Sequence, residues 1–261
     1  MERRPNRFFE QFSPRVRTIF ILAQQEATRF GHSHLKREHL LLGMIKEGKS
    51  PAVEMLKKDM GVDLEALKTD IEKTLIPEVP VDKAIPIVGY DVVTVFRNSV
   101  SNGEPHIGSE RLLMSLAGTD TGSLGEVLKK HNINATRASE AFRTWRIRTQ
   151  AARVYEEKVT AAHEAFREKK PQELATSLFG QGEIAAKLFE IEGTDKWDLR
   201  TYGAYNAAGG AFEAIGDSVM ACTSYKLALT SCERVAAGRS AEWKKNINHL
   251  KFLIERTTEQ K

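Results

Sequence analysis

Cysteine is scarce in this chain: only Cys222 and Cys232 occur among its 261 residues. The two lie ten residues apart in one predicted helix, which separates them by roughly 15 Å along the helix axis. A disulfide needs Cα atoms within about 7 Å, so these cysteines cannot pair inside that helix. We therefore expect two unpaired thiols, which favours the reducing cytoplasm as the location of the protein.

Long apolar runs and a strong charge of one sign are also lacking. No stretch approaches the roughly 18 apolar residues that a transmembrane helix needs, so no membrane partner is expected. Residues 1–17 contain five arginines but no apolar segment follows them, so no secretion signal is predicted. The formal net charge of +4 at pH 7 is small for this length, and no nucleic-acid partner is predicted from it.

The common catalytic motifs are missing as well. The sequence has no G-x-x-x-x-G-K-[ST], G-x-S-x-G, H-E-x-x-H or C-x-x-C pattern, so we expect neither a cofactor nor an enzyme. His32, His34, Glu38 and His39 come closest to a metal site. Neighbouring helical residues point about 100° apart, whereas zinc needs three or four converging ligands. Histidines that fill a helix–helix corner are the preferred interpretation, and a metal protein or enzyme at His32–His39 is the remote alternative.

What the chain does contain is an internal repeat. The pattern H-[LI]-x-x-E-x-L-L starts at His34 and again at His106, 72 residues later, so that Glu38 corresponds to Glu110. A fixed period indicates duplicated structural units. The similarity extends to the predicted helices on both sides of each copy. We therefore interpret residues 9–76 and 85–141 as two related units of four helices, joined by a proline-rich linker.

Apolar residues recur at three- and four-residue spacing along nearly the whole chain, which predicts an all-α protein. Helix starts are predicted at Ser13-Pro14, Ser50-Pro51 and Asp63, where short polar side chains can accept amide protons. Helix ends are predicted at Gly31 and Gly61. In the second unit, we predict a helix over 90–100, a helix capped by Ser109, and a connection loosened by glycines at 118, 122 and 125.

Beyond the two units, helices are predicted over 138–170, 172–190, 197–215, 218–237 and 240–259. Within them, Tyr205, Ala208, Gly209 and Phe212 precede a Gly216-Asp217 turn and further small and aromatic residues. This pattern resembles a tetratricopeptide repeat, in which small residues let two antiparallel helices pack closely. A single clear unit falls short of a stable array, so the second half of the chain is predicted to be TPR-like.

Glu38 and Glu110 are each predicted in the first turn of a helix. There a carboxylate can satisfy free backbone amides and meets the positive end of the helix dipole. Alternatively, the two carboxylates bind a ligand that bears a guanidinium group, through charge-assisted hydrogen bonds. The two roles are compatible.

The segments F-x-P-R, GHSHLKREHLLLGMIKEG and MLKKDMGVDLEAL resemble the N-terminal domain of Clp-type AAA+ unfoldases of the ClpC and ClpA type. The resemblance covers about residues 9–141 and implies two four-helix repeats related by pseudo-twofold symmetry. It also implies a domain that receives substrates and adaptor proteins without doing chemistry. Some ClpC members bind phosphorylated arginine through the glutamate of each repeat, which would correspond to Glu38 and Glu110 here.

The sequence departs from that family at the start of each glutamate helix. The family usually has Gly-Thr before the glutamate, whereas the first repeat has Lys36-Arg37 and the second has Gly108-Ser109. Lys36, Arg37 and Ser109 therefore join the two glutamates as candidate ligand-binding residues. No ATPase module follows in this sequence, so we do not expect the chain to unfold substrates by itself.

These observations together predict a Clp N-type double repeat in residues 1–141 and a TPR-like helical domain in residues 142–261. The function they favour is an adaptor or modulator of a Clp unfoldase–protease, in a bacterial cytoplasm. Its partners would be the unfoldase, its clients or adaptors, including proteins that carry phosphoarginine. The alternative is an interaction scaffold that reuses the fold outside proteolysis.

Overall fold

The computed structural model describes residues 10–78, 85–100, 106–119, 121–237 and 241–259, without the side chains of residues 241 and 242. Nearly all of these residues are helical, which confirms the predicted all-α class. Contacts divide the chain into two compact units, Met1–Trp145 and Arg146–Lys261, which are described separately below. The predicted turn at Gly238 lies outside the described residues.

The elements follow one another in this order: α1 (Pro14–Arg29), β1 (His34–Leu35), α2 (Arg37–Glu47), α3 (Pro51–Glu54), a π-helical turn (Met55–Asp59), α4 (Leu64–Thr74), β2 (Ile87–Val88), α5 (Tyr90–Asn98), α6 (Ser109–Ala117), α7 (Gly122–Lys130), α8 (Ala135–Arg167), α9 (Pro171–Glu192), α10 (Asp195–Ala214), α11 (Ser218–Ala236) and α12 (Ala241–Glu259).

Several helix ends form as their residues predict. The Ser13 hydroxyl accepts the Val16 amide at 3.3 Å, with Pro14 in the first helical position of α1. The Asp63 carboxylate accepts two amides at the start of α4. Gly31 and Gly61 have φ of 73° and 63°, left-handed conformations that an L side chain rarely adopts.

Other local predictions were wrong. A helix does start at Pro51 with Ser50 as its N-cap, but the Ser50 side chain accepts no amide proton, contrary to the prediction. After Glu54 the helix changes to a π turn, in which the Met60 amide donates to the Met55 carbonyl at 2.9 Å; the wider turn keeps Leu56 and Met60 buried together. Ser109 is not an N-cap: Gly108 takes that position and Ser109 is the first residue of α6. Gly125 is buried inside α7 rather than in a connection.

Two further boundaries were also wrong. Helix α5 ends at Asn98 rather than at residue 100. Helix α8 begins at Ala135 and ends at Arg167, before the predicted end at residue 170. Pro171, which lies between two predicted helices, occupies the first turn of α9, where its missing amide proton costs nothing.

In the first unit, short extended segments that precede helices of one repeat pair with segments of the other repeat. Strand β1 of the first repeat pairs in parallel with β2 at the beginning of the second, with His34 opposite Ile87 and Leu35 opposite Val88. Phe12, before α1, pairs in the same sense with Ile107, before α6. Each repeat therefore completes the backbone hydrogen bonding of the other, which places the start of each glutamate helix beside the other repeat.

The core of the first unit is likewise shared. Phe12 and Phe20 of the first repeat surround Phe96 of the second, and the rings of Phe12 and Phe96 stack with centroids 4.5 Å apart. One continuous cluster of buried apolar residues runs from Phe12 to Ala141. The buried residues of both repeats therefore belong to a single cluster, and the pair forms one folded body.

In the second unit, consecutive helices pack through small residues. A Cβ at Gly182 in α9 would lie 2.6 Å from the ring of Tyr205 in α10, and a Cβ at Gly209 in α10 would lie 2.4 Å from the ring of Tyr225 in α11. In both pairs, an aromatic ring of one helix rests against the bare backbone of the preceding one. This is the packing that the small–aromatic pattern indicates, and the TPR-like description stays a prediction.

Candidate functional site

The five candidate residues fall at two equivalent places in the first unit. Lys36, Arg37 and Glu38 form the junction of β1 and α2, and Ser109 and Glu110 form the first turn of α6. The structure therefore does not gather them into one site. Each group lies next to the first turn of a helix from the other repeat.

Glu38 is buried, with 8% of its surface exposed. Its Oε1 atom accepts the hydroxyl hydrogen of Ser123, at the start of α7, at 2.8 Å. A carboxylate that accepts such a bond is held in one orientation. Glu38 therefore joins the two repeats, and an external ligand would have to compete with Ser123 for it.

Arg37 also contacts the second repeat. Its Nη1 donates to Thr119 Oγ1 at 3.2 Å, and its Nε lies 3.4 Å from the Asp91 carboxylate. The alignment with Asp91 is poor enough that the buried Nε makes no hydrogen bond. Lys36 is more exposed, and its Nζ lies 3.7 Å from the Glu78 carboxylate.

The second glutamate helix starts differently. The Ser109 hydroxyl accepts the Ala52 amide at 3.3 Å, which fixes α6 to the start of α3 in the first repeat. The Glu110 carboxylate folds back over Gly108, so closely that a Cβ at Gly108 would lie 1.9 Å from Glu110 Oε1. This carboxylate lies at the amino end of its own helix, where the helix dipole favours a negative charge.

The difference between the two glutamates follows from the residue two positions before each of them. Gly108 has no Cβ, which leaves room for the Glu110 carboxylate above the start of α6. Lys36 has a Cβ at the corresponding position of α2, so the same conformation of Glu38 would be sterically blocked. Glu38 instead extends to Ser123. The difference between Gly108 and Lys36 thus decides whether the glutamate carboxylate lies over its own helix or reaches the other repeat.

A cleft of about 350 Å³ opens beside Arg37, between α5 and the carboxyl end of α6. Its walls are mostly polar and include Asp91, Thr94, Ser115 and Thr119. The buried Ser115 hydroxyl has no hydrogen-bond partner in the described part of the chain. A group that enters this cleft therefore meets hydroxyls, one carboxylate and one guanidinium.

The fold and these contacts can be compared with known families. The model of the Clp repeat (R) N-terminal domain family matches residues 11–131. Residues 11–131 are a Clp repeat domain. The predicted resemblance is thereby confirmed, and the start of each glutamate helix, from Lys36 and from Gly108, lies inside the matched segment.

Two plant proteins are about 30% identical in sequence to part of this chain. Chaperone protein ClpC, chloroplastic, of Pisum sativum is 30% identical over 160 residues, covering 58% of this chain and 16% of that protein. Chaperone protein ClpC2, chloroplastic, of Arabidopsis thaliana is 31% identical over 170 residues, covering 60% of this chain and 16% of that protein. The chain therefore spans about 16% of the length of these relatives. Their names place them in chloroplasts, so the bacterial and cytoplasmic assignments stay predictions.

His39 and His32 form a continuous chain of hydrogen bonds between two backbone groups of the Clp repeat domain. The Lys36 amide donates to His39 Nδ1 at 2.9 Å, His39 Nε2 lies 2.8 Å from His32 Nδ1, and His32 Nε2 lies 2.8 Å from the Ile76 carbonyl. Because one end is an amide donor and the other a carbonyl acceptor, the hydrogen bonds can run in one direction through both rings, and each ring nitrogen has a partner. Burial is the main cause that lowers the pKa of His39 to about 3.

That chain argues against a metal site at His32–His39, since a metal ion needs a free nitrogen lone pair. The lone pairs of His39 and His32 accept hydrogen bonds, and His34 lies exposed in β1. Within the described residues, no group of three or more histidine, cysteine, aspartate or glutamate side chains could hold a metal ion. In the same part of the chain, no helix is long and apolar enough to span a membrane.

Three residues of the site were missed by sequence reasoning: Asp91, Thr119 and Ser123. Each contacts a candidate residue from more than 50 positions away in sequence. The repeat contained a partial signal, because Ser123 lies 72 residues after Pro51, and the start of α3 is the element that contacts Ser109. Pseudo-twofold symmetry could therefore have pointed to the start of α7, though not to the hydrogen bond itself.

Proposed function

We propose that this protein is a non-catalytic recognition module of a Clp-type unfoldase–protease system, in which it acts as an adaptor or modulator. The match of residues 11–131 to the Clp repeat domain carries the proposal. Its partners would be an unfoldase, its clients or other adaptors. The TPR-like helices after residue 145 would supply a second binding surface.

Within this function, Glu110 is the better candidate for contact with a partner. It is partly exposed, it lies at the amino end of α6, and Gly108 leaves the neighbouring backbone uncovered. A partly exposed carboxylate at the amino end of a helix can bind a group with both a cation and an anion, as phosphorylated arginine has. We therefore include proteins that carry phosphoarginine among the proposed partners.

A second function, a scaffold outside proteolysis, is favoured by one specific observation. Lys36 and Arg37 place two cations at the start of α2, and Glu38 is bonded to Ser123 rather than facing a ligand. A domain with one altered repeat could serve a different partner through the same fold.

The deciding experiment is a pull-down with the full chain as bait, compared with Glu110→Gln and Glu38→Gln. The adaptor function is supported if the wild type recovers a Clp unfoldase or its clients and Glu110→Gln recovers less. Glu38→Gln serves as the matched control at the equivalent position, and it should change recovery little once it is shown to be folded. Recovery of partners unconnected with proteolysis would favour the scaffold.

A further inference from the structure

We propose that the cleft between α5 and the carboxyl end of α6 binds a carboxamide, the side chain of a glutamine or asparagine in a partner protein. This inference rests on the proposed recognition function and adds to it the kind of side chain that the second repeat selects. Three observations carry it: two buried polar atoms without partners, an ion pair without a hydrogen bond, and the way in which the first repeat closes the equivalent place.

The cleft, of about 350 Å³, is lined by residues with unpaired buried polar atoms. Among the described residues, three buried side-chain nitrogen or oxygen atoms have no hydrogen-bond partner. Two of them, Arg37 Nε and Ser115 Oγ, belong to residues that line this cleft. Folded proteins leave few such groups unpaired. A polar group that enters the cleft can therefore form hydrogen bonds that the described part of the chain does not supply.

The charges at the cleft favour a neutral ligand. The Arg37 guanidinium and the Asp91 carboxylate lie side by side, with Nε 3.4 Å from Oδ2, but Nε makes no hydrogen bond. An anion at this place would be repelled by Asp91 and a cation by Arg37. A carboxamide is neutral, and it has an oxygen that accepts and an amino group that donates. Its oxygen can accept from Arg37 Nε while its amino group donates to Asp91.

The remaining walls of the cleft suit a short polar side chain. Thr94 and Asn98 of α5 and Thr119 after α6 add hydroxyl and amide groups to the lining. Tyr90, which is 78% exposed, presents its ring to the methylene groups that precede a carboxamide. The volume lies near the lower end of the range that ligand sites usually have, which suits one side chain better than a large molecule.

The first repeat closes the equivalent place with an ion pair of its own. Arg15 and Glu47 occupy the positions that correspond to Asp91 and Thr119. Arg15 Nη1 lies 2.5 Å from the Glu47 carboxylate, and the Glu47 side chain is 7% exposed. Aspartate and threonine cannot form such a pair, and both contact Arg37 instead. The cleft is therefore a feature of the second repeat and not of the repeat fold in general.

The test is a nuclear magnetic resonance titration of the ¹⁵N-labelled full chain with a blocked tripeptide that has glutamine between two alanines. Control tripeptides replace the glutamine with glutamate, which adds a charge, or with methionine, which removes the carboxamide at similar length. We expect saturable shifts of cleft residues with the glutamine peptide, and binding of both controls that is at least about tenfold weaker, because each lacks one of the required hydrogen bonds.

Variants of the chain locate the binding. Ser115→Ala removes an unpaired hydroxyl of the cleft and should weaken binding of the glutamine peptide by up to about tenfold. Thr18→Ala is the control, because it removes an exposed hydroxyl of α1 in the first repeat and should leave binding unchanged. Asp91→Arg with Thr119→Glu gives the second repeat the ion pair of the first. This closing variant should abolish binding, with its fold checked by circular dichroism.

The outcomes also separate this inference from the proposed function. Equal or tighter binding of the glutamate peptide would overturn the choice of a neutral ligand, and equal binding of the methionine peptide would overturn recognition of the carboxamide. Unchanged binding by the folded closing variant, or no saturable shift with any peptide, would overturn the site itself. If the pull-down recovers a Clp unfoldase but no peptide binds, only this inference fails. If the glutamine peptide binds at the cleft and no Clp partner is recovered, the cleft site stands and the Clp function fails.

Discussion

At the scale of single residues, Glu38 and Glu110 show how a neighbouring Cβ decides the role of a carboxylate. Gly108 lets Glu110 fold back onto its own helix, whereas Lys36 does not allow this and Glu38 bonds to the other repeat. The two roles weighed for these glutamates, helix capping and ligand binding, are thus joined by a third. Glu38 serves as a link between repeats.

The contribution of the Ser123–Glu38 hydrogen bond to stability can be measured by removing the Ser123 hydroxyl. Ser123→Ala removes the hydrogen bond to the buried Glu38 carboxylate, and we expect a loss of about 1 kcal/mol in the free energy of unfolding. Ser115→Ala is the matched control, because the buried Ser115 hydroxyl lacks a hydrogen-bond partner among the described residues. It should leave stability unchanged or raise it, since alanine also favours the helix. Urea denaturation of both variants checks the contrast, and equal losses would contradict it.

The buried His39 side chain makes the stability of the protein depend on pH. The pKa of His39 falls to about 3 in the folded protein because of burial, while in the unfolded chain it lies near 6.5. The unfolded state therefore takes up a proton first as the pH falls. The contribution of His39 to stability is complete above about pH 6.5 and is lost progressively towards pH 3, at about 1.4 kcal/mol per pH unit.

Urea denaturation at pH 7 and at pH 4.5 tests this dependence. His39→Gln should show a smaller fall in the free energy of unfolding between the two pH values than the wild type. The exposed His163→Gln serves as the control and should keep the wild-type fall. If His39→Gln and the wild type fall equally, the acid sensitivity comes from other groups.

At the scale of helices, the neighbouring glycines Gly209 and Gly210 in α10 should respond oppositely to the same change. A Cβ at Gly209 would lie 2.4 Å from the buried ring of Tyr225, so Gly209→Ala should cost about 1–3 kcal/mol. Gly210 is exposed, and its nearest neighbour would be 3.8 Å away. Gly210→Ala should instead stabilise by up to about 1 kcal/mol, because alanine favours helices. Thermal unfolding of both variants checks the signs.

Helix type and order could be predicted from the sequence, whereas several boundaries could not. The apolar spacing and the caps at Ser13 and Asp63 act locally, so a single sequence contains them. The π turn at Met55–Asp59 depends on where Leu56 and Met60 must lie in the core, which spacing alone does not reveal. The partners of Arg37 and Glu38 belong to the other repeat, far away in sequence, so local spacing could not reveal these contacts either.

At the scale of the first unit, the duplication is visible in sequence but the exchange between repeats is not. β1 pairs with β2, Phe12 pairs with Ile107, and Ser109 accepts from Ala52. All three contacts join one repeat to the other. The two repeats are similar in sequence, but each contributes contacts to the other, and the apolar core is common to both. We therefore expect that they do not fold independently.

This dependence predicts the behaviour of fragments. Residues 10–78 alone leave Phe12, β1 and the Glu38 carboxylate without the partners that the second repeat supplies. A fragment of this size has a small apolar core even when that core is complete. We expect it to show low helicity and no cooperative unfolding transition, whereas residues 10–145 should unfold cooperatively. Mixing residues 10–78 with residues 85–145 should restore helicity, measured by circular dichroism, because the missing contacts can form between chains. A cooperative transition in residues 10–78 alone would mean that the first repeat folds without the exchanged segments, and the contacts between repeats would then be additions to a fold that is already complete.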